Sequence, residues 1–284
     1  MTDDVFTYRF DRRPEVIVFA EEAEFKDTYG GDENVVLLEA HHLVPDGNPS
    51  DTVLIFMHPV GAGAYLPMVG ALARAGHHVI YCNSRYRTGD MALIMEKVVL
   101  DLAACVRHAK EQLDYEKVVL AGWSGGGSLS LFYQAEAEDP TVTSTPAGEP
   151  PDLTAAGLIP ADGILLLAAH VSRAHTLTEW LDASIMDEAD PTRRDHELDL
   201  FDPTNPNQPP YSDDFVLRYR EAQVGRNRRI TAWVREKLDE LNPPGAPKPA
   251  ELGFIVHGTM ADPRRFDGAL DPSEREIGWS YLGD

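Results

Sequence analysis

The stretch VVLAGWSGGGSLSLF, residues 118 to 132, constrains the fold more than any other part of this chain. Val118 to Ala121 is a continuous apolar run of the kind that forms a buried strand, and Leu129, Leu131 and Tyr133 carry a helix pattern begun near Ser124. Only Gly122, Trp123 and Ser124 separate the two patterns, so the chain has to bend sharply at the serine. Gly122 and Gly126, two residues either side, remove the side chains that would collide in such a bend. Gly125, Gly126 and Gly127 then fall in the first helical turn, where each costs on the order of 1 kcal/mol relative to alanine. Two compensations stand open: bare N–H groups at a helix N-terminus, where the dipole favours negative charge, or close packing of the helix on its strand.

The flanking sequence extends the pattern. Val16 to Ala20, Asn34 to His41, Thr52 to Met57 and His78 to Cys82 read as strands, and Gly163 to Ala169 as a further buried parallel one. Ala62 to Ala75 is helix-compatible, and Met91 to Leu113 places Leu93, Val98, Leu102, Val106, Ala109 and Leu113 at helical spacing. This alternation predicts an α/β fold, a mostly parallel sheet with helices on both faces. Past Val171 it stops. The proline clusters PTNPNQPP (203 to 210) and PPGAPKP (243 to 249) bracket a long helix-like segment, so residues 1–170 are expected to form the core, 171–250 a mainly helical cap insertion, and 251–284 a return to the core or the end of the cap. Ile230, Val234, Leu238 and Leu241 stripe that helix, while Arg218, Arg220, Arg226, Arg228, Arg229, Arg235 and Lys237 concentrate basic charge on it. This fits either a solvated face neutralising nearby acids or a lid attracting an anionic substrate.

Charge excludes some roles. Lys plus Arg number 25 against 47 Asp plus Glu, a formal net charge of −22, which repels phosphate backbones and anionic lipids; no nucleic-acid or membrane partner is expected. The longest apolar run, Ile164 to Ala169, is far short of the ~20 residues that span a bilayer, and MTDDVFTYRF has no signal-peptide pattern. A soluble, cytoplasmic protein is the expectation. Cys82 and Cys105 are too few for a disulfide framework or a cysteine zinc site. The histidine pairs at 41–42 and 77–78 are expected to flank strands and not to bind metal. No GxGxxG or P-loop lysine motif occurs, and no cofactor is expected.

Gly122, Trp123, Ser124, Gly125 and Gly126 fill GxSxG between strand and helix, FMHPVGAG (56 to 63) follows the strand from Thr52, and NSRYRTGD (83 to 90) follows the strand ending at Cys82. Together these resemble the α/β-hydrolase fold family over roughly residues 34 to 170. The resemblance implies a serine hydrolase that acts on a small-molecule ester, thioester or related acyl compound through an acyl-enzyme on Ser124. Acyl transfer needs two converging N–H donors for the oxyanion; Gly125 and Val60 are the candidates, with Pro59 unable to donate and His58 expected to tie its loop down. Leu177, Trp180 and Leu181 suggest a substrate with a hydrophobic body, and Arg85 and Arg87 are expected to brace loops.

The family's chain order is serine, acid, histidine. GFIVHGTMAD (253 to 262) reads as the penultimate strand with Asp262 at the acid position, yet no histidine follows it; downstream of Ser124 stand His170, His175, His196 and His257. Three accounts remain. The base, and even the acid, lie on chain beyond Asp284; or His257, His170 or His175 serves as an unusual base; or the protein is a hydrolase-like scaffold that binds ligands or partners without turnover.

Overall fold

The computed structural model describes residues 7–21, 35–88, 93–146, 148–244, 253–259 and 261–264. The chain divides into two compact units, Met1–Ser172 and Arg173–Asp284.

In the first unit β1 (Phe10–Ala20), β2 (Val35–Pro45), β3 (Thr52–Phe56), β4 (His78–Cys82), β5 (Lys117–Trp123) and β6 (Gly163–Leu167) form one sheet in the order β1-β2-β4-β3-β5-β6. β4, β3, β5 and β6 run parallel to one another, β2 pairs antiparallel with β4, and β1 antiparallel with β2. The parallel strands read as apolar runs because both faces are covered. Helix α1 (Pro67–Arg74) packs on one face through Val69 and Ala73 against Leu43, Phe56, Val79 and Tyr81. Helices α2 (Met95–Glu111) and α3 (Gly125–Glu138) cover the other, where Val98, Leu102, Val106, Leu129 and Tyr133 meet Val53, Ile55, Ile80, Val118 and Leu120.

Several boundaries differ from the sequence reading for physical reasons. β1 starts at Phe10 and not at Val16, because the polar DRRP segment completes the ladder with the end of β2, Phe10 opposite Pro45, on an edge strand where exposed charge and proline are tolerated. β2 runs on to Pro45, so His41 and His42 lie inside a strand and do not flank one. α1 begins at Pro67, not Ala62: proline suits the first helical position, and Gly61 at φ 78° keeps the preceding segment a loop. β6 stops at Leu167, since Ala168 at φ 44° leaves extended space. Residues 89–92, 245–252 and Met260, parts of the motifs above, lie outside the described residues.

In the second unit α4 (Arg173–Trp180) and α5 (Asp213–Leu241) pack together, with a core of Ala183, Leu198, Leu200, Phe215, Tyr219 and Ala261. The run at 253–257, expected to be a strand, is irregular. It has no ladder partner; instead Arg226 donates to the carbonyls of His257 and Gly258, and Asp182 N–H to that of Gly258. The basic residues of α5 are likewise neither a uniformly solvated face nor an unengaged lid. Arg226 is fully buried, pairs doubly with Glu188 and binds three carbonyls; Arg220 holds Asp262 and the Glu179 carbonyl; Arg229 holds the Ile185 carbonyl. Arg218 and Lys237 make surface pairs with Glu197 and Glu240. Among the described residues no helix is long and apolar enough to cross a membrane.

Candidate active site

β5 delivers the chain to Ser124, which has φ 51° and ψ −123°. L-residues enter this region only under constraint, at a cost of about 1–3 kcal/mol. The constraint is visible in its neighbours. A Cβ on Gly122 would lie 2.5 Å from the Gly127 Cα, and one on Gly126 would lie 2.5 Å from the Met57 carbonyl oxygen. Strand, helix and the loop after β3 thus approach backbone to backbone. Ser124 N–H donates to the Leu167 carbonyl (3.3 Å), while its own carbonyl accepts from Gly127 N–H (3.1 Å) and His170 N–H (2.8 Å), so the end of β6 clamps the bend. Ser124 occupies the position before α3, its side chain makes no capping bond there, and it remains partly exposed. A six-stranded sheet in this order, with a strained serine between its fifth strand and the next helix, decides the architecture. The first unit is an α/β fold, a mostly parallel sheet with helices on both faces.

In this unit the loop after β3 lies against the serine bend. The His58 Nδ1 is 2.6 Å from the Val60 carbonyl and 3.3 Å from the Val60 nitrogen. One ring nitrogen cannot donate and accept at once, and the shorter contact is that of an Nδ1–H given to the carbonyl, which leaves the Val60 N–H outside that bond. The other ring nitrogen lies close to the start of α3: a Cβ on Gly125 would lie 2.9 Å from His58 Nε2. Ser84 Oγ donates to the Pro59 carbonyl (2.7 Å) and Gly61 N–H to the Tyr86 carbonyl (3.2 Å), tying this loop to the one after β4. That second loop is anchored in turn by Arg85, which forks onto the fully buried Asp101 and also pairs with Glu21; Arg87 pairs with Glu39. Burial raises the Asp101 pKa against the pull of Arg85.

Three of the remaining sequence candidates, Asp262, His175 and His196, are engaged through their side chains. Asp262 accepts from Arg220 (2.6 Å) and from Arg264 N–H and guanidinium. Burial pushes its carboxyl up, but the bonds from Arg264 and the charge of Arg220 outweigh this and hold the pKa below its ordinary value. The His257 carbonyl accepts from Arg226 (2.5 Å), and its buried Nδ1 has no hydrogen-bond partner among the described residues. His175 pairs with Glu179, and His196 with Asp202. All four lie in the second unit; His58 and His170 are the histidines brought to the serine in the first. Sequence reasoning did not single out Met57 or Ser84, whose backbone and hydroxyl position the loop; the glycine run was the only trace of the first. Among the described residues no group of three or more His, Cys, Asp or Glu side chains has metal-binding geometry.

No protein-family model matches the chain, and no curated protein matches its sequence. Among solved structures it is similar to brefeldin A esterase, a bacterial homologue of human hormone-sensitive lipase, at 20% identity over 49% of this chain and 38% of that one, TM-score 0.32. It is also similar to a bacterial heroin esterase, at 15% identity over 61% and 47%, TM-score 0.35. A third is esterase B from Lactobacillus rhamnosis, at 15% identity over 56% and 49%, TM-score 0.33. The match spans less than half the length of each of these proteins. Likeness at this level does not fix the activity of this chain.

Proposed function

We propose that this protein is a serine hydrolase that cleaves an ester or thioester of a small molecule through an acyl-enzyme on Ser124. The observation that carries the reading is the strained serine at φ 51°, partly exposed at the C-terminal edge of the parallel strands. Strain of this kind persists only where the surroundings enforce it, and here the hydroxyl of a partly exposed serine is not spent on capping the helix. In the reaction Ser124 Oγ attacks the acyl carbonyl. The developing oxyanion takes hydrogen bonds from the Gly125 N–H, at the positive end of α3, and from the Val60 N–H, which the His58 Nδ1–carbonyl bond orients. Gly122 and Gly126 serve by letting these backbones close on one another. A net charge of −22 favours a small acyl compound over nucleic acid or an anionic membrane surface as partner. The Oγ proton requires a base. Asp262 is engaged by Arg220 and Arg264, and the contact from Arg226 reaches His257 only at its carbonyl, so neither is assigned as acid or base; the rival reading is a hydrolase-like protein that binds without turnover.

Hydrolysis of p-nitrophenyl esters and thioesters of graded chain length separates the two. Turnover by the wild type and a loss of at least about a hundredfold in Ser124→Ala support the enzyme. Equal rates in the two proteins, or none from either, support the binding protein.

A further inference from the structure

One face of α5 carries Arg226, Arg229, Ile230 and Trp233 at helical spacing. Arg226 holds the Asp182, His257 and Gly258 carbonyls, and Arg229 holds that of Ile185, so the segments 182–189 and 253–258 are both tied to this face. Helix and segments together wall a cavity of about 560 Å³, the size of a small-molecule site, and every residue of its lining belongs to the second unit.

The walls are largely apolar and accessible. Ile230, Trp233, Met186, Phe254 and Ile255 line the cavity, and the last three are 54%, 46% and 48% exposed. Single hydrophobic side chains scattered over a surface need no reason, but three lining one concavity leave apolar area in water that a ligand would bury. Trp233 and Phe254 meet edge to face, their ring centroids 5.1 Å apart at an interplanar angle of 66°, and the Met186 thioether belongs to the same lining. Aromatic rings and a polarisable sulfur favour a flat ring over an aliphatic chain.

Three charged groups in the lining select the head group. Asp187 already pairs with Arg193 (2.9 Å), and Glu188 pairs with Arg226 through both oxygens. Neither carboxylate is left uncompensated to draw a cation. Arg229 donates to the Ile185 carbonyl (2.9 Å), and among the described residues its guanidinium has no carboxylate partner. A neutral ligand laid over the cavity would strip water from that guanidinium without replacing it. A carboxylate restores the lost hydrogen bonds in charge-assisted form.

We propose that this cavity is a binding site for a small flat aromatic molecule that carries a carboxylate. The ring lies among Met186, Ile230, Trp233 and Phe254, and the carboxylate accepts from the Arg229 guanidinium. The site does not depend on the Ser124 reaction, and its test reads no activity.

The full chain is titrated calorimetrically at constant ionic strength with 2-naphthoate, 2-naphthylmethanol, 2-naphthylmethylammonium and octanoate. Binding is located from the Met186 methyl signal by NMR, assigned from Met186→Leu. Saturable naphthoate binding that shifts this signal, with the alcohol, the ammonium and octanoate each at least about tenfold weaker, supports the site. At a net charge of −22 unspecific attraction favours the ammonium, so a preference for the carboxylate has to come from the site. Arg229→Gln should weaken naphthoate about tenfold and leave the alcohol within about twofold; if that variant does not fold, the wild-type series alone decides. Any of the three controls binding within about tenfold of naphthoate would overturn the assignment. So would naphthoate leaving Met186 unmoved up to its solubility, or a folded Arg229→Gln protein that binds naphthoate like the wild type.

Discussion

Two helical glycines should respond to alanine with opposite signs. In Gly126→Ala the new Cβ lands 2.5 Å from the Met57 carbonyl oxygen, a backbone atom that cannot swing aside, so the loop after β3 must retreat by most of an ångström from the start of α3. Overpacking of this kind costs about 3 kcal/mol at the upper end of its usual range, and the helix gains back about 1 kcal/mol by losing a glycine. The net is a destabilisation of about 2 kcal/mol, or a Tm about 4–8 °C lower for a domain of this size. In Gly70→Ala, inside α1, the nearest atom to the new Cβ is the end of the Arg74 side chain at 3.5 Å, ordinary contact. There only the propensity gain remains, and stability should rise by about 0.5–1 kcal/mol. Chemical denaturation of both variants beside the wild type, with m-values compared, measures the contrast. A Gly126→Ala protein as stable as the wild type, or a Gly70→Ala protein that loses as much, would refute the backbone contact between the loop and the helix. Because the proposed oxyanion donors, the Gly125 and Val60 N–H groups, lie on the helix and the loop that this contact joins, Gly126→Ala should hydrolyse esters more slowly at saturating substrate.

Ser124→Gly should raise stability by about 1 kcal/mol in denaturant titrations, since glycine occupies φ 51° without strain, while abolishing ester turnover. Arg226→Met leaves three carbonyls without the donors of a fully buried guanidinium and the partly exposed Glu188 without its partner, so the second unit should lose about 3 kcal/mol, seen as faster hydrogen exchange in residues 253–264. His42, amid Glu15, His78, Arg13 and Tyr115, has its pKa lowered by burial, against the pull of Glu15. The neutral ring is therefore the stable folded form: its contribution is complete above about pH 6.5 and is lost as pH falls from there through the lower folded value. Tm measured from pH 7.5 to 5 should drop less in His42→Gln than in the wild type, and an identical slope would count against this.

What could be read from the sequence was what depends on near neighbours. The Gly122 to Gly127 run announces a sharp turn because the colliding backbones are only five residues apart, and the apolar runs in β3, β4 and β5 announce a sheet covered on both faces. Contacts made across the fold were not legible. GFIVH has a strand's composition, but a strand needs a ladder partner, and Arg226 took carbonyls at its end instead. The charge of Arg226 suggested solvent, because no local pattern reveals Glu188 at the other end of the bond. His41 and His42 looked like strand ends because histidine is a weak strand former, yet Glu15 and Tyr115, brought close only by folding, hold His42 within β2. The acid and base that the proposed reaction needs were the least legible of all, since the motif the sequence resembles gives their order along a chain and not their neighbours in space.

Reaction of the folded protein with a fluorophosphonate, followed by peptide mass spectrometry, asks most directly whether the bend at residue 124 presents a reactive hydroxyl. The account predicts a single stoichiometric adduct on Ser124, lost when the protein is denatured before treatment. An unmodified Ser124 in folded protein, or labelling spread over other serines at the same rate, would contradict it.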